Sequence, residues 1–337
     1  MKYAVFAIAL TAFASPSQPA PAQTLKAVKE RGAVLCGVSQ GLYGFSAPDD
    51  KGTWSGFDVD LCRALAAAIF NDTGKVKYVP LSANDRFTAL KSGAIDVLSR
   101  DTTWTMGRET ELGLNFTGVT YYDGQGFLVP ESAKVESALE LGGKKVCTQT
   151  GTTTELNLKD YFANNRMTYE LVALPTAEET LKAYEGGRCD VLTSDSSQLY
   201  ALRLKLAKPG SHIILPDIIS KEPLGPAVRQ GDDQWFNIVK WTHFAMVNAE
   251  ELGVSSANIG EAMRSEKPDV KRLVGAEGNF GEQLGLSKDW VARVVRLVGN
   301  YDEVFERNVG TASKLGIPRG VNNLWNNGGI LYAPPIR

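Results

Sequence analysis

Apolar residues along this chain fall into short runs that alternate with stretches of helical spacing. "AVLCGVS" (33–39) is a brief apolar run closed by polar residues, the pattern of a buried strand. "GFDVDLCRALAAAIF" (56–70) puts Phe57, Leu61, Leu65, Ala68 and Ile69 on one helical face, with Asp58 and Asp60 in the first turn, where the helix dipole favours acids. "KVKYVPL" predicts a strand, "ANDRFTALKSG" a helix closed by Gly93, and "AIDVLS" a third strand. The second half repeats the order. "KKVCTQT", "YELVALP", "CDVLTSD" and "SHIILP" predict strands, and "TELNLKDYFANN", "AEETLKAYEGG" and "SSQLYALRLKLA" predict the helices between them. Two β-α-β-α-β series imply two open, mainly parallel sheets.

The two halves also share a phrase. "GAIDVLSRD" (93–101) and "GRCDVLTSD" (187–195) place glycine, "DVL" and a closing aspartate at the same offsets. A generic helix-to-strand turn would produce part of this, but the matching element order favours an internal repeat. Both phrases end at the carboxyl end of a strand, where open α/β sheets bind ligands. The repeat therefore predicts two lobes facing one cleft. Beyond about Lys221 the chain turns mainly helical: "DQWFNIVKWTHFAMVNAEELG" and "DWVARVVRLVGNYDEVFERNVG" carry apolar residues at helical spacing, and their aromatics read as core. "WNNGGILYAPPIR" closes the chain with little regular structure.

Composition narrows the classes. The 337 residues, 43% apolar, suffice for two cores, and a net charge of −2 without basic blocks gives no footing for nucleic acid. Residues 1–22 have Lys2, an apolar run from Tyr3 to Ala14 and a small-residue "APA" end, the form of a secretory signal peptide cleaved after Ala22. No cysteine follows that site to carry a lipid, and no other window holds 18 uninterrupted apolar residues, so a soluble exported protein is expected. Export makes disulfides the default use of Cys36, Cys62, Cys147 and Cys189, which allow three pairings. The repeat favours Cys36–Cys62 and Cys147–Cys189, one bridge per half. With only His212 and His243, a three-histidine zinc site is impossible, and neither histidine stands in a hydrolase motif; His243 reads as a packed helix residue. No phosphate-binding glycine loop of either common type is present. Neither a cofactor nor a metal is implied.

Three places offer binding chemistry. "TGTTTEL" (150–156) joins a strand end to a helix start: Thr152 and Glu155 fit a capping box, and the free N–H groups there suit an anion. "RDTTWTMGRE" (100–109) offers the hydroxyls of Thr102, Thr103 and Thr105 and, in Arg108, a fork that matches a carboxylate; an ordinary surface loop would read the same. Asp195 precedes a helix and reads either as its N-cap or as a buried partner for an ammonium. Together these groups complement a zwitterion.

At this point the sequence resembles a family. "GFDVDLCRALAAAI" looks like the signature segment of bacterial extracellular solute-binding proteins of family 3, the periplasmic polar amino-acid receptors of ABC transporters. "CGVSQGLYGFS", "TTW", "CTQTGTTTELNL" and "ISKEPLGPAVRQGDDQW" point the same way, and the tail resembles the general L-amino-acid-binding subgroup. The resemblance implies a two-lobed, periplasmic-binding-protein-like type II α/β fold with a helical C-terminal extension, closing by a hinge on an L-amino acid. It implies lobe 1 at 23–124 and 223–337, lobe 2 at 125–222, and crossings near Tyr122–Gly126 and Glu222–Gly225. Carried over residue by residue, it gives Arg108 to the ligand α-carboxylate, the hydroxyl position five before it to Thr103, the second-lobe threonine to Thr153 and the ammonium to Asp195, with Thr152 a further ligand-binding candidate from its place at the helix start. Asp101 stands where relatives often carry Ser or Asn. Arg86 resembles an arginine facing the side-chain pocket of acidic amino-acid receptors. Ser39 stands where strictly acidic receptors carry a second arginine, which implies tolerance of glutamate, glutamine, aspartate and other side chains. Tyr43 or Phe45 would wall the ligand or pack beneath the loop. The implied partners are the inner-membrane permease and its ATPase, with the receptor itself monomeric. Two other classes share such a fold: a dehydratase acting on an amino-acid-like substrate, for which Glu109, Glu111 and Glu155 are the nearest acids but lack a second catalytic partner, and a ligand-sensing module.

Overall fold

The computed structural model describes residues 23–337; the candidate signal peptide at 1–22 lies outside the described residues. Two five-stranded sheets organise it. The first runs Val76–Pro80, Val34–Val38, Val97–Leu98, Ala227–Arg229, Leu114–Phe116, and the second runs Glu170–Leu174, Lys145–Gln149, Val191–Asp195, Gln125–Pro130, His212–Ile214. In each sheet the first three strands are parallel and the last two join antiparallel. The parallel strands are those the hydrophobic pattern predicts. Gln125–Pro130 and the short Leu114–Phe116 and Ala227–Arg229 were not predicted, because two of them are only three residues long and all lie beside turn-like Gly and Pro.

Helices cover both sheet faces, as parallel strands require. In the second sheet the period of two is plain. Phe127, Val129, Val146 and Val191 face one buried cluster with Leu158 and Phe162, while Leu128, Cys147 and Leu192 face another with Leu181, Leu199 and Leu202. In the first lobe the helix Phe57–Phe70 is buried along most of its length between the sheet and the helical tail. The tail supplies helices Asp233–Glu251, Trp290–Leu297 and Tyr301–Asn308, whose Trp235, Tyr301 and Phe305 are fully buried. The periodic stretch 289–310 is thus two helices. Gly299, at φ +102°, turns the chain, and Asn300 and Glu303 form a capping box that starts the second. His243 is buried in the first of the three helices, and burial pushes its imidazole down to about 4, so it is neutral packing. No helix among the described residues is long and apolar enough to cross a membrane.

The lobes connect through two crossings that pair with each other, Tyr121–Asp123 antiparallel to Glu222–Leu224. The tail braces this hinge. Asn322 bonds the Tyr122 N–H at 2.7 Å through its carbonyl and the Tyr122 carbonyl at 3.0 Å through its amide, and the Tyr301 hydroxyl donates to Thr120 at 2.8 Å.

Cys36 is bonded to Cys62 and Cys147 to Cys189, the pairing expected from the repeat. Cys36–Cys62 fixes a strand to a helix, and Cys147–Cys189 fixes a strand to the loop before the next strand, each within its own lobe. Closing chain segments of these lengths restricts the unfolded state by roughly 2–4 kcal/mol. Chemical denaturation of the Cys147→Ser, Cys189→Ser double variant should show a loss of that order; an unchanged midpoint would mean that the bridge constrains nothing.

Candidate functional site

Between the lobes, at the carboxyl ends of the parallel strands, two cavities adjoin. An inner one of about 20 Å³ is lined by Arg86, Arg100, Asp101, Thr103, Gln149, Thr152, Thr153, Thr154, Ser194, Asp195 and Gln198. An outer one of about 340 Å³ shares Arg100, Gln149 and Gln198 with it and is lined further by Ser39, Gln40, Thr176, Glu178 and Lys205, among others. The inner space holds little more than one water. Admission of an amino acid to the inner space therefore requires that space to widen.

Each polar group is positioned by local structure. Arg86 opens the helix Arg86–Ser92 and is 3% exposed. Its guanidinium lies over the Phe87 ring, reaches the Gly151 carbonyl of the other lobe at 3.5 Å, and leaves Nε without a partner. Burial, with Arg100 and Arg108 nearby, holds Arg86 well below the usual arginine range. Gly151, at φ +73°, gives this approach its room, since a Cβ there would lie 2.0 Å from Asn84 Oδ1 across the cleft. Arg108 donates to the Thr103 carbonyl at 2.6 Å and stands 5.1 Å from the Phe87 ring centroid. It does not line the inner cavity itself, but it lies within the field of Glu222 and Asp195, whose charges oppose the lowering that its burial causes.

Asp101 adopts φ +33°, and its N–H donates to Asp58 Oδ2 at 2.9 Å. Its carboxylate faces Arg100 at 3.4 Å. Burial, together with Asp101, pushes Asp58 up to about 7. The acids in the first turn of helix Phe57–Phe70 thus do more than balance a dipole: Asp58 shapes the loop that presents Asp101, and Asp60 holds Arg63 at 2.9 Å and Arg307 at 2.8 Å.

The second lobe corrects the capping box expected at Thr152 and departs from one of the two readings of Asp195. Thr152 forms no capping box with Glu155; its hydroxyl donates to the Gln149 carbonyl at 2.7 Å, so its side chain leaves the N–H groups of helix Thr153–Asn164 uncapped at the cavity. Asp195 stands at the N-cap position of helix Ser196–Arg203, yet its side chain does not cap it. Asp123, from the hinge strand, takes the Ser197 N–H and hydroxyl instead. Asp195 is left 7% exposed with Oδ1 unpartnered. Burial, and then the charges of Glu222 and Asp123, hold its carboxyl well above the ordinary range; burial likewise pushes Asp123 up to about 6.

Of the residues singled out in the sequence, Arg86, Asp101, Thr103, Thr152, Thr153 and Asp195 meet around the inner cavity. Ser39 lines the outer one, its hydroxyl tied to Ser46. Tyr43 lines neither cavity: it packs against the lobe 1 core under Lys314, and Phe45 is buried there. Arg100, Gln149, Gln198 and Glu222 were missed. Arg100 adjoins Asp101 in sequence; the two glutamines and Glu222 carry no local signal and are brought in only by the fold.

These groups form a charged, hydroxyl-rich cleft between two hinged lobes, and related proteins share the whole architecture. The chain is 58% identical over 98% of both lengths to the general L-amino acid-binding periplasmic protein AapJ of Rhizobium johnstonii. It is 48% identical over its full length and that of the glutamate/glutamine/aspartate/asparagine-binding protein BztA of Rhodobacter capsulatus. A solved ABC transporter periplasmic binding protein of Brucella ovis, with glutathione bound, superimposes with a TM-score of 0.93 at 55% identity, covering 94% of this chain and all of that one. The family model of bacterial extracellular solute-binding proteins, family 3, matches residues 34–258, and with these identities the chain belongs to that family.

Proposed function

We propose that the chain is the periplasmic binding component of an ABC-type importer, taking an L-amino acid between a lobe formed by 23–124 and 223–337 and a lobe formed by 125–222. Export through the 1–22 segment and delivery to an inner-membrane permease with its ATPase belong to this reading, as does action as a monomer. One observation carries it: a buried aspartate with a free oxygen and a cluster of arginines face each other across one small cavity, the charge pattern of an α-amino acid. Asp195 receives the ammonium. Arg108 and the uncapped N–H groups at Thr153 receive the α-carboxylate, and Arg86 and Arg100 face the side chain. The amino acids named for AapJ and BztA support the same class of ligand. A second reading follows from the outer chamber: its glutamines and Lys205 would accommodate a ligand longer than one residue, and the Brucella relative was solved with glutathione bound. No sequence feature favours the dehydratase or the sensing module.

A thermal-shift screen of the twenty amino acids and glutathione, followed by calorimetry, tests both readings. Arg108→Ala should remove binding of every hit while the protein stays folded, a loss of roughly 3–5 kcal/mol for an uncompensated buried pair. Affinity within threefold of wild type would sink the carboxylate assignment.

Arg86 carries a fully buried guanidinium nitrogen without a partner at the cavity, so it should discriminate among side chains. Arg86→Ala should weaken L-glutamate and L-aspartate and leave aliphatic amino acids nearly unchanged in competition assays. An equal loss for all ligands would refute that role.

Proton linkage supplies a further check. The carboxyl of Asp195 is raised in the free protein, and an adjacent ammonium lowers it again, so binding releases protons. Affinity should therefore climb with pH from the ordinary carboxylate range through the raised one. Calorimetry in buffers of differing ionisation enthalpy should report proton release, and proton uptake would contradict the pairing.

A further inference from the structure

One buried acid has no place in the charge pairing above. Glu222 lies on the second hinge crossing and is 1% exposed. Its Oε2 accepts the hydroxyl of Thr103 at 2.6 Å and that of Thr153 at 2.8 Å; its Oε1 accepts Asn157 Nδ2 at 2.6 Å and the Ser220 hydroxyl at 2.7 Å. Thr103 belongs to the first lobe, while Thr153 and Asn157 open a helix of the second. Four donors on two oxygens fill the acceptor capacity of a carboxylate. A hydroxyl has one proton. Spent on Glu222, it cannot also be donated into the cleft, and the 3.3 Å approach of the two threonine oxygens has no proton to share.

We infer that Glu222 is a positioning residue for the ligand ammonium: by taking the hydroxyl protons of Thr103 and Thr153, it turns their lone pairs toward the cleft and makes both threonines acceptors. The inference rests on reading the cleft as an amino-acid site. It changes the role of the two hydroxyls, which then bind the cationic end of the ligand beside Asp195 and leave the α-carboxylate to backbone N–H groups and Arg108. It also gives the two lobes a common anchor at the hinge, because one oxygen serves a threonine from each.

Two measurements decide it. With L-glutamate as probe, Glu222→Gln and Thr103→Val should each weaken calorimetric affinity roughly tenfold or more, the scale of a hydrogen bond to a charged group. Thr103→Ser, which keeps the hydroxyl, should stay within about threefold of wild type. The double variant Glu222→Gln, Thr103→Val should be no more than about threefold weaker than the weaker single variant, since both remove one interaction. Losses that multiply, or a Glu222→Gln variant within threefold of wild type, would overturn the inference. Neutron diffraction on the wild-type protein needs neither a folded variant nor a ligand. Deuterium on Thr103 and Thr153 should point at Glu222 Oε2, and deuterium pointing into the cleft would refute the proposal even if amino acids bind. Failure of every amino acid to bind, with the deuterium in place, would instead fall on the functional reading.

Discussion

The structure turns on the cost of holding opposite charges out of water between two lobes. Arg86, Arg100 and Arg108 converge there on Asp101, Asp195 and Glu222, and each is largely buried. A buried ion is tolerable only when it is paired and hydrogen-bonded. The chain meets that demand unevenly. Glu222 is saturated by four donors, and Asp101 is held by Arg100 and by its backbone bond to Asp58. Arg86 and Asp195 are each left with an unsatisfied atom, one on either side of the cavity. Full satisfaction of every group would leave no electrostatic reason to admit a zwitterion. A ligand ammonium would remove the deficit at Asp195, and an acceptor on the ligand side chain would remove that at Arg86.

That unevenness is built by the surrounding elements. Asp195 is free because Asp123 caps its helix, and the helix at Thr153 is uncapped because Thr152 bonds backward to Gln149. In the first case a neighbour does the capping and releases the carboxylate; in the second the capping hydroxyl is spent elsewhere and the N–H groups are left at the cavity. The hinge strands supply Asp123 and Glu222, so the groups that tune the cleft sit where the lobes turn about one another.

Much of this was legible in the chain. The repeated "DVL" phrase marks two strands whose carboxyl ends meet at the site, and period-two burial in the second sheet follows the apolar runs. What escaped was of two kinds. Strands of three residues, such as Leu114–Phe116, are too short to show a period, and they pair antiparallel across long sequence separations. The capping box expected at Thr152 did not form, and the choice between the two readings of Asp195 was not legible, because local spacing counts only nearby partners. The competing partners, Gln149 for the first and Asp123 for the helix of the second, are set by strand ends and by the hinge. Glu222 was invisible for the same reason: its four partners are drawn from both lobes.

The helical extension fits the same logic. A hinge of two short paired strands, Tyr121–Asp123 and Glu222–Leu224, presents an outer edge whose N–H and C=O groups need partners. Asn322 satisfies one residue of that edge with both ends of its amide, and Arg319, paired with Glu250 and Asp302, fixes the segment that carries it. The edge is covered by a side chain rather than by a third strand. A third strand would tie the edge to the tail along its whole length, whereas here the tail grips the first crossing at Tyr122, through Asn322, and at Thr120, through the Tyr301 hydroxyl. The extension therefore braces the hinge through side chains bonded to the first crossing rather than through a paired strand.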